Sequence, residues 1–257
     1  MKRQWGIVIP AVLGLVFLAA TARADLWPVL QSHWKLDETD TDDPLVYDAR
    51  GGVPGERVGT EANYITIGVP GVDGTAYAFP RSNDAYVDLN RMDVIPQTGP
   101  FKLDFWVKTE RKDTQYILSS YLGTDTGRTL LYMDSAGRIR LQVGGGNGFL
   151  LDTPSGTDFA DNQWHNIVLT REKVDPTIDL LSLYVDGIER DSGEASPSLR
   201  IGGGNNHNWQ LSASVNVSSS RGFDGFIDDV RVYVPEPSSA MLLLLAAGML
   251  LLRRRGK

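Results

Sequence analysis

Cysteine is absent from this chain, which excludes disulfides, thiolate metal ligation and thiol catalysis together. Histidine is scarce: His33, His165 and His207 are the only three, thin material for a multi-histidine metal centre or a hydrolase triad. The long middle of the sequence has no run with helical periodicity, and no apolar stretch reaches the ~20 residues of a comfortable membrane span. Neither a Gly-x-Ser-x-Gly elbow nor a His-Glu-x-x-His pair occurs. What is present is ordinary for a globular protein, with 42% hydrophobic and 22% charged residues, Gly 27 and Pro 13. A length of 257 residues permits one large domain or two small ones.

The two ends read as targeting segments. In residues 1–24, Lys2 and Arg3 precede an apolar run from Gly6 to Ala20, and Ala22-Arg23-Ala24 supplies small residues at a cleavage position. This is the pattern of a secretory signal with a mature start at Asp25; the rival reading is an uncleaved anchor. At the other end, Pro235-Glu236-Pro237 leads into an apolar run from Ala240 to Leu252 and then Arg253-Arg254-Arg255. Thirteen apolar residues are short for a span, and the arginines would hold the C-terminus in the cytoplasm. A tripeptide, a short hydrophobic helix and a basic cluster in this order resemble the PEP-CTERM sorting signal. The resemblance implies recognition by an exosortase, removal of residues 235–257 during export and a destination in the envelope or extracellular matrix. A plain tail anchor is the alternative.

Removing the seven basic residues and one acidic residue of the two ends leaves a body, residues 25–234, with 18 basic and 31 acidic residues, a net of −13. Such a body repels nucleic acid and anionic membranes at long range. Short alternating segments recur between Gly, Asp, Asn and Pro clusters: 85–89, 102–107 and 181–186 are examples. The spacing predicts many strands joined by tight turns, an all-β sandwich or barrel. Asp186-Gly187 is a strong hairpin turn, with Asp73-Gly74, Ala136-Gly137 and Asp224-Gly225 as weaker cases. Trp34, Phe105, Trp106, Trp164 and Tyr184 are expected in the core, and His165 is expected to be a hydrogen-bonded framework residue.

Eight segments in order carry a second resemblance: Ser32–Glu38, Asp48–Gly52, Ala76–Phe79, Asp84–Val87, Phe105–Thr109, Trp164–Leu169, Leu183–Gly187 and Phe226–Tyr233. Together they resemble the laminin-G-like, concanavalin-A-like domain of bacterial secreted proteins. The resemblance implies a two-sheet antiparallel jelly-roll sandwich with the first and last strands side by side.

Three kinds of site are candidates. Acidic residues on apolar strands must be paired, hydrogen-bonded or bound to a cation. The resemblance implies that such an acidic corner is closed by calcium, a hard cation that takes six to eight oxygens, with Glu38, Asp48 and Asp228 as its expected ligands; bonds to backbone amides or to Arg231 are the alternative. Two Gly- and Asn-rich loops, 144–149 and 202–209, have the furnishing of a carbohydrate site, with Asn206, His207 and Trp209 as the ligand-binding set, although tight turns use the same residues. Catalysis would need two suitably spaced carboxylates; Glu38 and Glu189 sit beside strands or turns, with Asp40 and Asp191 at i+2. The expectation is a non-enzymatic adhesion or binding domain with polysaccharide as partner. The alternatives are a structural matrix component without a specific ligand and a carbohydrate-active enzyme.

Overall fold

The computed structural model describes residues 29–59, 64–82, 84–90, 93–120, 128–144, 148–202, 208–212 and 221–235. Both segments read as terminal helices lie outside these residues, as do Asn206, His207, Glu236 and Pro237. Sixteen strands follow in chain order. The first eight are β1 (Val29–Trp34), β2 (Leu45–Val46), β3 (Gly55–Val58), β4 (Thr66–Pro70), β5 (Thr75–Pro80), β6 (Tyr86–Asp88), β7 (Phe101–Lys108) and β8 (Gln115–Ser120). The second eight are β9 (Thr129–Met133), β10 (Ile139–Val143), β11 (Phe149–Asp152), β12 (His165–Lys173), β13 (Asp179–Val185), β14 (Ile188–Ala195), β15 (Gln210–Leu211) and β16 (Asp224–Val234). No helix occurs among the described residues.

The strands form two antiparallel eight-stranded sheets. The first runs β14-β13-β12-β7-β16-β5-β4 with β1 also on β16; the second runs β11-β10-β9-β8-β15-β6-β3-β2. Strand alternation explains the layering. On β7, Phe101, Leu103, Phe105 and Val107 are buried while Lys102, Asp104, Trp106 and Lys108 stand on the outer face. On β10 the same alternation buries Ile139, Leu141 and Val143 and turns Arg140 and Gln142 outward. Trp34, Phe105, Ile117, Leu131, Leu183, Trp209 and Phe223 belong to a single apolar core between the sheets. Each such side chain contributes about 1.5–3 kcal/mol on burial.

Three of the aromatic residues expected in that core are elsewhere. Trp106, Trp164 and Tyr184 are only half-buried, because each occupies an outward position in its alternation. Trp164 packs on Phe226 with ring centroids 6.2 Å apart, and the Tyr184 hydroxyl donates to Glu189 at 3.1 Å. His165 is held as expected of a framework residue, with Nδ1 2.8 Å from Asp186 and Nε2 3.0 Å from Asp161. Burial alone would lower its pKa, but the two carboxylates outweigh that and raise it.

The turn readings divide in the same way. Asp186 and Gly187 both take positive φ, 55° and 74°, between β13 and β14. Gly74 and Gly137 do likewise in the β4–β5 and β9–β10 hairpins, at φ 80° and 78°. Asp224-Gly225 is instead inside β16, and a side chain at Gly225 would run into the carbonyl oxygen of Lys108. Close approach of two backbones requires this glycine, not a turn.

Strand β16 organises the first sheet. Along one side it pairs with β7; along the other, its first half pairs with β5 and its second half with β1. The ladder runs from Val29 opposite Val234 to Trp34 opposite Val230. Asp228 and Asp229 fall at the seam between β5 and β1, where the β7 register also shifts and Asp229 takes φ 55°. The first and last of the described strands thus lie side by side in the first sheet.

Candidate ligand cleft and acidic corner

The β9–β10 hairpin carries the floor of an open cleft of about 440 Å³ on the outer face of the second sheet. Period-two alternation puts Leu130 and Tyr132 of β9 on that face, opposite Gln142 and Arg140 of β10. Tyr116 of β8 pairs with Tyr132, and the two rings meet edge to face, 6.3 Å between centroids. The turn of the hairpin adds Asp134, Ser135 and Arg138, and Thr114 and Arg221 close the end nearest the start of β16.

Charge in the cleft is organised. Arg138 donates from Nε and Nη2 to Asp134 Oδ2 at 2.9 and 2.6 Å and from Nη1 to Asp152 at 3.3 Å. Arg140 Nη2 lies 3.0 Å from Asp152, and its guanidinium sits 5.8 Å from the centre of the Tyr132 ring. Arg221 sits 5.9 Å from the centre of the Tyr116 ring and donates to that phenol at 3.0 Å. Burial alone would raise the Asp134 carboxyl, but the Arg138 side chain and the Ala136 and Arg138 amides outweigh it and hold its pKa low. A general acid needs the opposite shift. Among the described lining residues, Asp134 is the only carboxylate.

The residues expected to bind sugar have other positions. Trp209 is 1% exposed and packs in the core beside Gly202, so its face is not available for stacking on a ring from solvent. The apolar neighbours of an indole immediately before β15 win over the polar loop around it. Asn206 and His207 lie outside the described residues. The described ends of the two loops converge on the start of β9: Gly202 N donates to Thr129 Oγ1 at 2.7 Å, and Gly144 N to the Arg128 carbonyl at 2.8 Å. The cleft begins one residue further along, at Leu130 and Gln142. No motif marks Tyr116, Tyr132, Arg138, Arg140 and Arg221. The available signal was the Ala136-Gly137 turn, which puts Tyr132 and Arg140 face to face once alternation is followed across it.

The calcium candidates are each anchored separately. Asp48 Oδ1 accepts from the His33 and Arg50 amides at 2.9 and 2.8 Å, leaving Oδ2 buried without a partner among the described residues. Glu38 accepts from the Tyr47 amide at 2.8 Å and the Tyr77 hydroxyl at 2.7 Å. Asp228 Oδ2 caps the β4–β5 turn, accepting from Val72 and Asp73 amides at 2.7 and 3.3 Å, while Oδ1 is buried and unpartnered among the described residues. Burial raises the Asp228 pKa to about 6; the two amides oppose this, and the neighbouring Asp229 and Asp37 carboxylates reinforce it. Asp37 holds the same turn through the Thr75 amide at 2.7 Å. Asp229 is partnered instead by His33 and Arg231, both at 2.6 Å. Among the described residues no three His, Asp or Glu side chains are grouped as a metal site.

Comparison with solved structures agrees with this architecture. Domain 4 of AbnA, a GH43 extracellular arabinanase from Geobacillus stearothermophilus solved with arabinotriose, is 21% identical with a TM-score of 0.57, over 80% of this chain and 92% of that one. A Trypanosoma rangeli sialidase holding 2,3-difluorosialic acid is 16% identical with a TM-score of 0.54, over 81% of this chain but only 31% of the sialidase. The CBM40 of Ruminococcus gnavus IT-sialidase bound to α2,6 sialyllactose is more distant, 16% identical with a TM-score of 0.43, over 52% of this chain and 76% of that one. At these identities the likeness is one of fold. No curated protein matches the chain in sequence. The laminin-G profile of the concanavalin A-like lectin/glucanase superfamily matches residues 81–240, more than half of the chain and the greater part of both sheets, and the protein is a member of that superfamily.

Proposed function

We propose that this chain is an exported, exosortase-processed surface or matrix protein whose sandwich binds polysaccharide without transforming it. The observation that carries the reading is the open cleft on the second sheet, furnished with the half-buried Tyr132 ring, guanidinium and amide donors and a hydroxyl or two. Tyrosine faces stack on sugar rings, and fixed polar groups select their hydroxyls. The AbnA domain, solved with arabinotriose, supports the reading by analogy of fold. Binding is favoured over hydrolysis because the cleft lacks a second carboxylate among its described lining residues and Asp134 is locked as an anion by Arg138.

The test is affinity electrophoresis of residues 25–234 against a panel of neutral and charged polysaccharides, with reducing-sugar release followed in parallel. Retardation by at least one polymer without release of reducing ends is expected. Tyr132→Ala is expected to weaken binding about tenfold or more, since stacking on one aromatic ring is worth on the order of 1–1.5 kcal/mol. A panel without any retardation would favour the structural matrix component, and release of reducing ends would favour the enzyme.

We propose, further, a structural calcium ion at the corner of Asp228. A buried carboxylate oxygen without a partner, with Asp37 beside it, is an incomplete oxygen shell. Glu38, Asp48 and Asp228 are the expected ligands; Asp48 and Asp228 each have a buried oxygen without a partner among the described residues, and Asp37 lies beside Asp228. The charge of the ion would offset the burial of Asp228 and fasten the β4–β5 turn to the seam of the first sheet.

A further inference from the structure

We infer that His165 is a proton-operated latch: with both ring nitrogens protonated it ties loop 153–164 to the β13–β14 turn, and losing one proton frees that loop from the hairpin turn at the end of the cleft. Its Nδ1 lies 2.8 Å from Asp186 Oδ2 and its Nε2 3.0 Å from Asp161 Oδ1. A carboxylate accepts hydrogen bonds and gives none, so both contacts hold together only when both nitrogens carry hydrogen. A neutral ring keeps one N–H and turns a lone pair on the other carboxylate.

The two carboxylates are anchored differently. Asp186 sits in a tight hairpin turn, and its Oδ1 also accepts from the Asn166 amide at 2.9 Å. Asp161 Oδ1 accepts in addition from the Gln163 amide at 2.9 Å, within its own loop. The break on deprotonation therefore falls at Asp161. The remaining neighbours come from other elements. The Phe159 ring meets the imidazole edge on, 5.1 Å between centroids, and Arg190 of β14 stands over Phe159, 5.4 Å from its centre. Across the sheet, the facing residue on β7 is Val107.

What the latch holds is one end of the cleft. From the same loop, the Phe159 amide donates to the Gly137 carbonyl at 2.9 Å and the Asn162 amide to the Thr109 carbonyl at 2.8 Å. Asp158 packs into the space left by the missing side chain of Gly137. It also pairs with Lys112, but both are exposed and such pairs hold weakly. Gly137 belongs to the turn that gives Asp134, Ser135 and Arg138 to the cleft. Burial opposes the charge on His165, and the two carboxylates outweigh it, moving its titration above the ordinary histidine value. The latch's contribution is thus full below pH ~6.5 and lost as pH rises through the higher folded value. It closes toward acid and opens toward alkali.

The experiment follows the full chain in detergent micelles by NMR from pH 5 to 9. With three histidines in the sequence, the His165 ring can be tracked beside hydrogen exchange of the Phe159 and Gly137 amides. Exchange is expressed as protection factors, so that the pH dependence of the chemical step cancels. Both factors are expected to fall about tenfold between pH 6 and 9 with the midpoint of the ring titration, while the Leu169 amide in β12 stays constant. Asp161→Asn, whose amide can meet either form of the ring, is expected to lower the ring titration and to make Phe159 protection equal at the two pH values. Asp161→Ala is expected to hold it at the wild-type pH 9 level. A ring that titrates while Phe159 protection stays constant overturns the latch, as does a ring in one state throughout. These arms need no variant. Loss at Phe159 with Gly137 unchanged overturns the link to the cleft.

Discussion

Asp228 and Asp229 show how far apart two neighbouring carboxylates can be driven by their surroundings. Asp229 sits between His33 and Arg231; Asp228 has two amides on one oxygen and nothing among the described residues on the other. With its pKa raised to about 6 in the folded state, Asp228 binds its proton more tightly there than in the unfolded chain. Its contribution to stability is therefore full below pH ~4 and lost as pH rises through about 6. Asp228→Asn is expected to raise stability by roughly 1–3 kcal/mol at pH 7.5 in chelator and to change little at pH 3.5. Calcium is expected to raise the melting temperature of the wild type at pH 7.5 and to leave the variant unmoved; chemical denaturation at the two pH values, with and without calcium, reads all three. A wild type indifferent to calcium would remove the ion from this corner. At this scale sequence reading identified Asp228 as a buried acid needing a partner, and also named Arg231 as a rival partner. The assignment of Arg231 to Asp229 depends on the positive φ at the seam, which no residue pattern announces.

Strands were legible wherever alternation was strong. Segment 102–107 falls within β7, 181–185 within β13, and Asp186-Gly187 forms the expected turn. Misreadings came from residues whose chemistry serves two purposes. Trp106 and Tyr184 have core chemistry but stand on an outer face, because strand period and not residue type decides which sheet face a side chain takes. Trp209 was the reverse, a ring in a polar loop that is drawn into the core. Gly225 carries the signature of a turn and serves contact between strands, where its missing side chain lets β16 approach the end of β7. Gly225→Ala is expected to destabilise the sandwich by about 1–3 kcal/mol through overpacking, whereas Gly156→Ala, where a Cβ meets nothing within 4 Å although φ is +88°, carries only the backbone cost. Thermal unfolding of the pair separates crowding from conformational strain: equal losses would mean that β16 and β7 can part without penalty. The cleft was the least legible feature, since it is made by Tyr116, Tyr132, Arg140 and Arg221 from three strands and a loop whose lateral order is set by the whole sheet.

For the whole molecule, the all-β sandwich and the adjacency of first and last strands were readable from ordered segments spread along residues 32–233, and the structure has both. The proposed export and processing concern the segments outside the sandwich and are tested there. Glu236→Gln is expected to leave an unprocessed form about 2 kDa heavier, the mass of a tail of twenty-odd residues, held in the membrane fraction. Immunoblotting of membrane and medium fractions checks it, and identical migration of both forms, both in the membrane, would make the tail a plain anchor. In either case the tail leaves from the end of β16, whose start is beside Gln115 and the Tyr116 side of the cleft: the Asp224 amide donates to Gln115 Oε1 at 2.8 Å, and Tyr116 bridges Gly222. Eleven strand residues at ~3.3 Å each separate the two by roughly 30 Å.

The ladder step joining Val29 to Val234 also makes this fold a cassette. Its entry and exit are the two rails of one strand pair, so the domain can be spliced into an exposed loop of an unrelated host by two short joints, without a crossing segment and without drawing its sheets apart. The host would then carry the cleft about one strand length from the joints.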